Sequence, residues 1–141
     1  MRIAMLGALE RVLALRAAPL FAALPTRDLL PVANLCTELS LESGEPLFHE
    51  GELGDAVYVL ASGRVAVERD SAVVATLGAG ECVGELAVLD WHPRSATVTA
   101  VEPSRLIRLD RHDLLDLIGD YPQIADNLAS VLVERVRNTV G

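Results

Sequence analysis

The sequence has no lysine, two cysteines, one tryptophan, two tyrosines and two phenylalanines in 141 residues. The missing lysine excludes a Walker A phosphate loop, a pyridoxal Schiff base and a kinase-type strand lysine, each of which needs a primary amine. Positive charge is scarce as well: 12 arginines face 20 acidic side chains, for a formal net charge of -8. Phosphate attraction needs clustered basic residues, so nucleic acid and direct membrane insertion are not expected. Long apolar runs are lacking too. The N-terminal one, residues 3–9, is cut by Glu10 and Arg11, too short for a spanning helix or a secretory core. Cys36 and Cys82 are distant from each other and read as small core residues in a reducing cytosol, not as a disulfide framework. What is present is a 51% hydrophobic composition, ample for one packed core at this length. The expectation is an acidic, cytoplasmic, single-domain protein.

Three zones divide the chain. Residues 1–35 are rich in Leu and Ala and read as an N-terminal helical segment. Residues 36–109 carry Val, Gly and short polar breaks, and residues 110–141 return to helical spacing. In the first zone Met5, Leu6, Leu9, Val12 and Leu13 fall on one arc of a helix, with Ala4, Gly7, Ala8 and Ala14 behind them. That back of small residues admits a close neighbour such as a partner subunit or an upstream domain; an alanine-rich surface helix is the plainer alternative. Pro19 and Pro25 break the chain, and Thr26 with Asp28 starts a short helix through Asn34. The middle zone reads as strands at 36–41, 46–49, 56–61, 64–69, 72–77, 95–101 and 104–109, separated by Gly and Pro turn signals. Such punctuation suits an antiparallel sandwich or roll. In the last zone Asp110 is a candidate cap for a helix carrying Leu114, Leu115, Leu117 and Ile118. The run Gly119-Asp120-Tyr121-Pro122 ends it as a hinge, and a final helix lines up Ile124, Leu128, Val131, Leu132 and Val136. No third helical unit is seen, so a helix-turn-helix reader does not fit.

The stretch between the fifth and sixth of these strands carries the chemistry. Gly84 permits a tight turn, Glu85 to Leu89 are good helix formers, Asp90 to Pro93 stop them, and Arg94 opens the next strand. The first amides of a short helix suit an anion, and Arg94 adds a planar donor fork for phosphate oxygens. Glu85 accepts only, so it suits a hydroxyl such as a ribose 2′-OH. An anion beside a sugar hydroxyl describes a nucleotide. One arginine without lysine or metal ligands suits a single negative charge rather than the several of ATP. The same two residues nine positions apart also describe an ordinary ion pair. Trp91 sits in the loop as a candidate lid. His49, His92 and His112 are scattered, without metal-ligand spacing.

Gly84-Glu85-Leu86-Ala87 followed by Arg94-Ser95-Ala96-Thr97-Val98 resembles the phosphate-binding cassette of the cyclic nucleotide-binding domain family. That family includes catabolite activator proteins, protein kinase A regulatory subunits and cyclic-nucleotide-gated channels. The turns at Gly44-Glu45, Gly51 to Asp55 and Ser62 to Val65 look alike too, so the likeness covers roughly residues 18–139. The resemblance implies a mainly β fold with flanking helices: an eight-stranded antiparallel β roll, N-terminal helices and two C-terminal helices. It implies cAMP or cGMP as ligand and no cofactor, with Glu85 on the ribose and Arg94 on the cyclic phosphate. The cassette, residues 84–98, would add Gly84, Leu86, Ala87, Ser95 and Ala96 to the site. The amides near Leu86 and Ala87 would complete the phosphate cradle, and Ser95 would meet the phosphate or a guanine amino group. Leu128, Val131 or Leu132 of the last helix would close over the base.

The function expected is therefore a non-catalytic cyclic-nucleotide sensor that moves its last helix and acts on an output domain or subunit outside this chain. The chain would be part of a larger protein, membrane-attached in one version, and a homodimer is a further candidate assembly. The alternative is a ligand-free β-roll scaffold for protein contacts. A metal cupin or a phosphodiesterase stands third. Ser95 is compatible with either purine, so cAMP and cGMP both stay open.

Overall fold

A computed structural model describes residues 7–85 and 93–140, with 135–140 as helical backbone. Helices α1 (Ala8–Ala17) and α2 (Thr26–Leu35) come first. The described strands are β1 (Thr37–Leu41), β2 (Pro46–Phe48), β3 (Ala56–Ser62), β4 (Arg64–Arg69), β5 (Ala72–Gly78), β6 (Cys82–Val83), β7 (Thr97–Ala100) and β8 (Ser104–Asp110). Helices α3 (Arg111–Asp120) and α4 (Pro122–Val140) follow. The strands form two antiparallel sheets of four, ordered β1-β8-β3-β6 and β2-β7-β4-β5. This is the eight-stranded roll with flanking helices that the turn spacing and the cassette implied.

Strand β3 shows how the layers arise. Its Val57 and Val59 point to a helix-side core containing Leu15, Phe21, Leu29, Ile107 and Ile124. Its Tyr58 and Leu60 point the other way, into a roll interior with Leu41, Phe48, Val65 and Leu106. A strand covered on both faces is apolar along its length, and burying each large side chain contributes about 1.5–3 kcal/mol. The site described below lies on the roll side of this strand.

Several local expectations are corrected. Leu9 and Leu13, on the arc expected to be the apolar face of α1, are 70% and 53% exposed. Ala14 from the small-residue side is buried with Leu15, and Val12 of the apolar arc packs partly against the same core, while Gly7 and Ala8 are exposed. Met5 and Leu6 lie outside the described residues. Arg11 fastens the helix: its Nη1 donates to Ala33 O at 3.2 Å and its Nε lies 3.0 Å from Glu38 Oε1. The stretch between β5 and β7 contains β6, which pairs with Tyr58 and Val59; two residues are too few to show a period. Strand β7 begins at Thr97, so Arg94 does not open a strand. Asp110 stands at the α3 N-cap without a side-chain cap bond, because its carboxylate pairs with Arg108. The break between α3 and α4 falls on Tyr121 (φ -131, ψ 84), while Gly119 stays inside α3.

Candidate functional site

Gly84 follows β6 with φ +89, in the left-handed region that glycine tolerates. A Cβ on it would stand 2.3 Å from Arg94 Nη1, so the guanidinium occupies the space a side chain would need. Arg94 itself is held by its main chain against the β2–β3 loop. Its N–H donates to Glu52 O at 2.6 Å, and Gly51 N–H donates to Arg94 O at 2.8 Å. Leu53 and Pro93 form a bridge beside these bonds. With the backbone fixed, the side chain runs into the roll. Nη1 donates to Gly84 O at 3.1 Å and Nη2 to Ala56 O at 2.9 Å. The guanidinium carbon lies 4.1 Å from the Phe48 ring centroid and 5.8 Å from that of Tyr58.

Three polar side chains are buried among the described residues: Glu85 at 3%, Arg94 at 4% and Ser104 at 2% exposure. Both charged ones belong to the cassette. Burial pulls the Arg94 guanidinium below its ordinary pKa, while Tyr58, Asp55 and Glu52 oppose that shift. Among the described residues its hydrogen-bond partners are neutral carbonyl oxygens, and its other contacts are aromatic faces. A buried cation so placed favours an anion over water. Glu85 follows Gly84 directly and is the first helical residue after it.

The other sequence-selected residues are placed as follows. Ala96 is buried at 5% exposure, and Ser95 is exposed, its carbonyl accepting from Arg69 Nε at 3.2 Å. Leu86 and Ala87 lie outside the described residues, as do Trp91 and His92. Leu128 is 2% exposed in the helix-side core, with Leu132 packed partly against it and Val131 half-buried. That is the opposite side of the sheet from Arg94. Among the described residues, no group of three His, Cys, Asp or Glu side chains could hold a metal. No described helix is long and apolar enough to cross a membrane.

Sequence reasoning missed Phe48, Tyr58 and the carbonyl of Ala56, which surround Arg94. They come from β2 and β3, some 40 residues upstream (|i−j| is 38 for Ala56), and nothing in the linear pattern joins them to the cassette. Arg108 was missed as well. It lies opposite Tyr58 in the β3–β8 register and pairs with Asp55 and Asp110.

A profile described as cyclic nucleotide-binding domain matches residues 38–121, which spans Arg94, Gly84 and every contact just given. The chain belongs to the cyclic nucleotide-binding domain family. It is 37% identical over 128 residues to the cyclic AMP receptor protein of Thermus thermophilus, covering 87% of this chain and 59% of that protein. The N-terminal domain of a Streptomyces coelicolor transcriptional regulator superposes with a TM-score of 0.73 at 36% identity, covering 89% of this chain and 92% of that one. The regulatory domain of Toxoplasma gondii protein kinase A, crystallised with cAMP, gives 0.72 at 33% identity, covering 77% and 43%. The chain thus spans little more than half of the Thermus relative. As a cyclic nucleotide-binding domain it is a ligand-binding regulatory module, and family membership favours that reading over the ligand-free scaffold.

Proposed function

We propose that this domain takes cAMP or cGMP with Arg94 on the cyclic phosphate and Glu85 on the ribose 2′-hydroxyl, and signals through its C-terminal helices. The observation that carries this is the burial of both charged side chains at one cassette, the cation among neutral carbonyls and aromatic faces. A phosphodiester supplies a single negative charge to a guanidinium that, among the described residues, donates to neutral carbonyls, without the excess of a triphosphate. The acceptor-only carboxylate next to Gly84 suits a hydroxyl donor. The likeness to proteins that respond to or were crystallised with cAMP supports the same ligand.

Gly84 keeps the carbonyl and the space that orient Arg94, and Leu86, Ala87, Ser95 and Ala96 complete the cassette. Helix α4 reaches the base with Leu128, Val131 or Leu132 by turning about Tyr121, the one non-helical residue between α3 and α4. The ligand shifts that equilibrium only by binding the turned state better. We assign the domain a non-catalytic, cytoplasmic role, with output through a domain or subunit outside residues 1–141.

Calorimetric titration with cAMP, cGMP and 5′-AMP tests the reading. Both or one of the cyclic forms should bind and 5′-AMP should bind far more weakly. A charged hydrogen bond contributes about 1.5–3 kcal/mol and a lost buried ionic partner costs about 3–5, so Arg94→Ala should weaken binding about a hundredfold or more. Silence towards both cyclic nucleotides, or an Arg94→Ala protein within about threefold of the parent, overturns it.

A further inference from the structure

A second arginine stands behind the first. Arg108 on β8 lies directly opposite Tyr58 on β3, the residue whose ring flanks Arg94. Its Nη2 is 3.3 Å from Asp55 Oδ1, and its Nη1 pairs with the Asp110 carboxylate. Asp55 precedes Ala56, whose carbonyl holds Arg94, and the carbonyl of Asp55 itself accepts from Arg111 N–H at 2.8 Å. Two guanidinium groups therefore converge on one short loop, and one of them takes its carboxylates. Burial pulls the Arg108 guanidinium down, but Tyr58, Asp110 and Asp55 hold it above its ordinary pKa. Asp55 also acts on Arg94 through space, as does Glu52, whose side chain is exposed.

We propose that Arg108 is a positioning residue for the nucleotide site: by holding the Asp55 carboxylate it keeps an internal counterion away from Arg94, leaving that guanidinium to the ligand's phosphate. The inference rests on the assignment of Arg94 to the phosphate. An arginine already paired with a carboxylate must surrender that pair before it binds an anion, and the loss subtracts from affinity. With Arg108 removed, the Asp55 carboxylate loses the partner 3.3 Å away, and its charge still acts on Arg94 through space.

The test is a double-mutant cycle read by cAMP titration in about 0.3 M salt, where long-range attraction is largely screened. The Asp55 side chain is 66% exposed, so water screens the pair, and Arg108→Met, which keeps the aliphatic stem, should weaken binding about fivefold. Asp55→Asn should leave affinity nearly unchanged in the parent, within about 1.5-fold, yet recover about threefold or more in the Arg108→Met background. The same factor in both backgrounds means simple additive charge and overturns the proposal, as does an Arg108→Met protein that binds like the parent. Arg108→Gln serves if the Met variant does not fold. A second readout needs no nucleotide: the side-chain 15Nε resonance of Arg94 should move in Arg108→Met and return with Asp55→Asn added. An unmoved resonance overturns the proposal. A parent that ignores cyclic nucleotides overturns the site assignment instead, while the resonance still decides whether Asp55 turns to Arg94.

Discussion

Gly84 and Arg94 share one small volume. The Gly84 carbonyl accepts from Arg94 Nη1 at 3.1 Å, and a Cβ on Gly84 would lie 2.3 Å from the same nitrogen. One residue thus both receives the guanidinium and makes room for it. Gly84→Ala introduces a side chain where φ is +89 and pushes on Arg94. Strain of this kind costs about 1–3 kcal/mol. The expected outcome is a lower melting temperature together with a loss of cyclic-nucleotide affinity. Calorimetry that finds affinity unchanged in a folded Gly84→Ala protein removes the steric argument.

Phe48 lies under the same guanidinium at 4.1 Å. Its ring face attracts the cation and sets its plane, an interaction of about 0.5–2 kcal/mol depending on desolvation. Phe48→Leu keeps an apolar side chain in the roll but loses the ring. Affinity for the ligand should fall about threefold to tenfold, and Phe48→Tyr should retain most of it, as titration will show.

The Arg11 and Glu38 side chains, 21% and 11% exposed, join α1 to β1. Removing one partner takes from the other an opposite charge 3.0 Å away. Glu38→Gln should therefore destabilise the fold by about 1–3 kcal/mol, less than the figure for a fully buried pair because some water reaches Arg11. Urea unfolding of the variant and of Arg11→Met measures it. Equal midpoints for parent and variants would show the pair to be idle.

Burial pushes the Cys36 thiol up to about 12, outweighing the opposing charge of Arg11. Its Sγ–H donates to Val32 O at 3.3 Å. A raised folded pKa in a group that is neutral when protonated adds stability below the unfolded value near 9. That stability is lost as pH climbs towards 12. Across this alkaline window the group contributes a slope of about -1.4 kcal/mol per pH unit. Cys36→Ala should flatten the fall in stability between those limits relative to the parent. The native thiol should also resist alkylation at neutral pH and react only on unfolding.

The motif could be read from the chain because its chemistry is local. Gly84, Glu85 and Arg94 marked the cassette by their types and order, and the turn glycines pointed to a sandwich or roll. Strand β3 was legible as an apolar run, and the break between the last two helices as a Gly-Asp-Tyr-Pro sequence. What could not be read depends on distance along the chain. Phe48, Ala56, Asp55 and Arg108 meet Arg94 or its loop only because β2, β3 and β8 are brought together by two sheets and a loop. The face of α1 was misjudged for the same reason. Its periodicity offers two sides, and only the surface of β3 beneath it selects Ala14 and Leu15 over Leu9 and Leu13.

The sequence by itself determined the class of fold and the two charged residues of the cassette, because backbone preference and charge are properties of neighbours in the chain. Tertiary structure alone decided that Arg94 is buried against carbonyls and aromatic rings while Arg108 takes Asp55. Desolvation and pairing depend on which distant segments pack together, and no spacing along the chain encodes that.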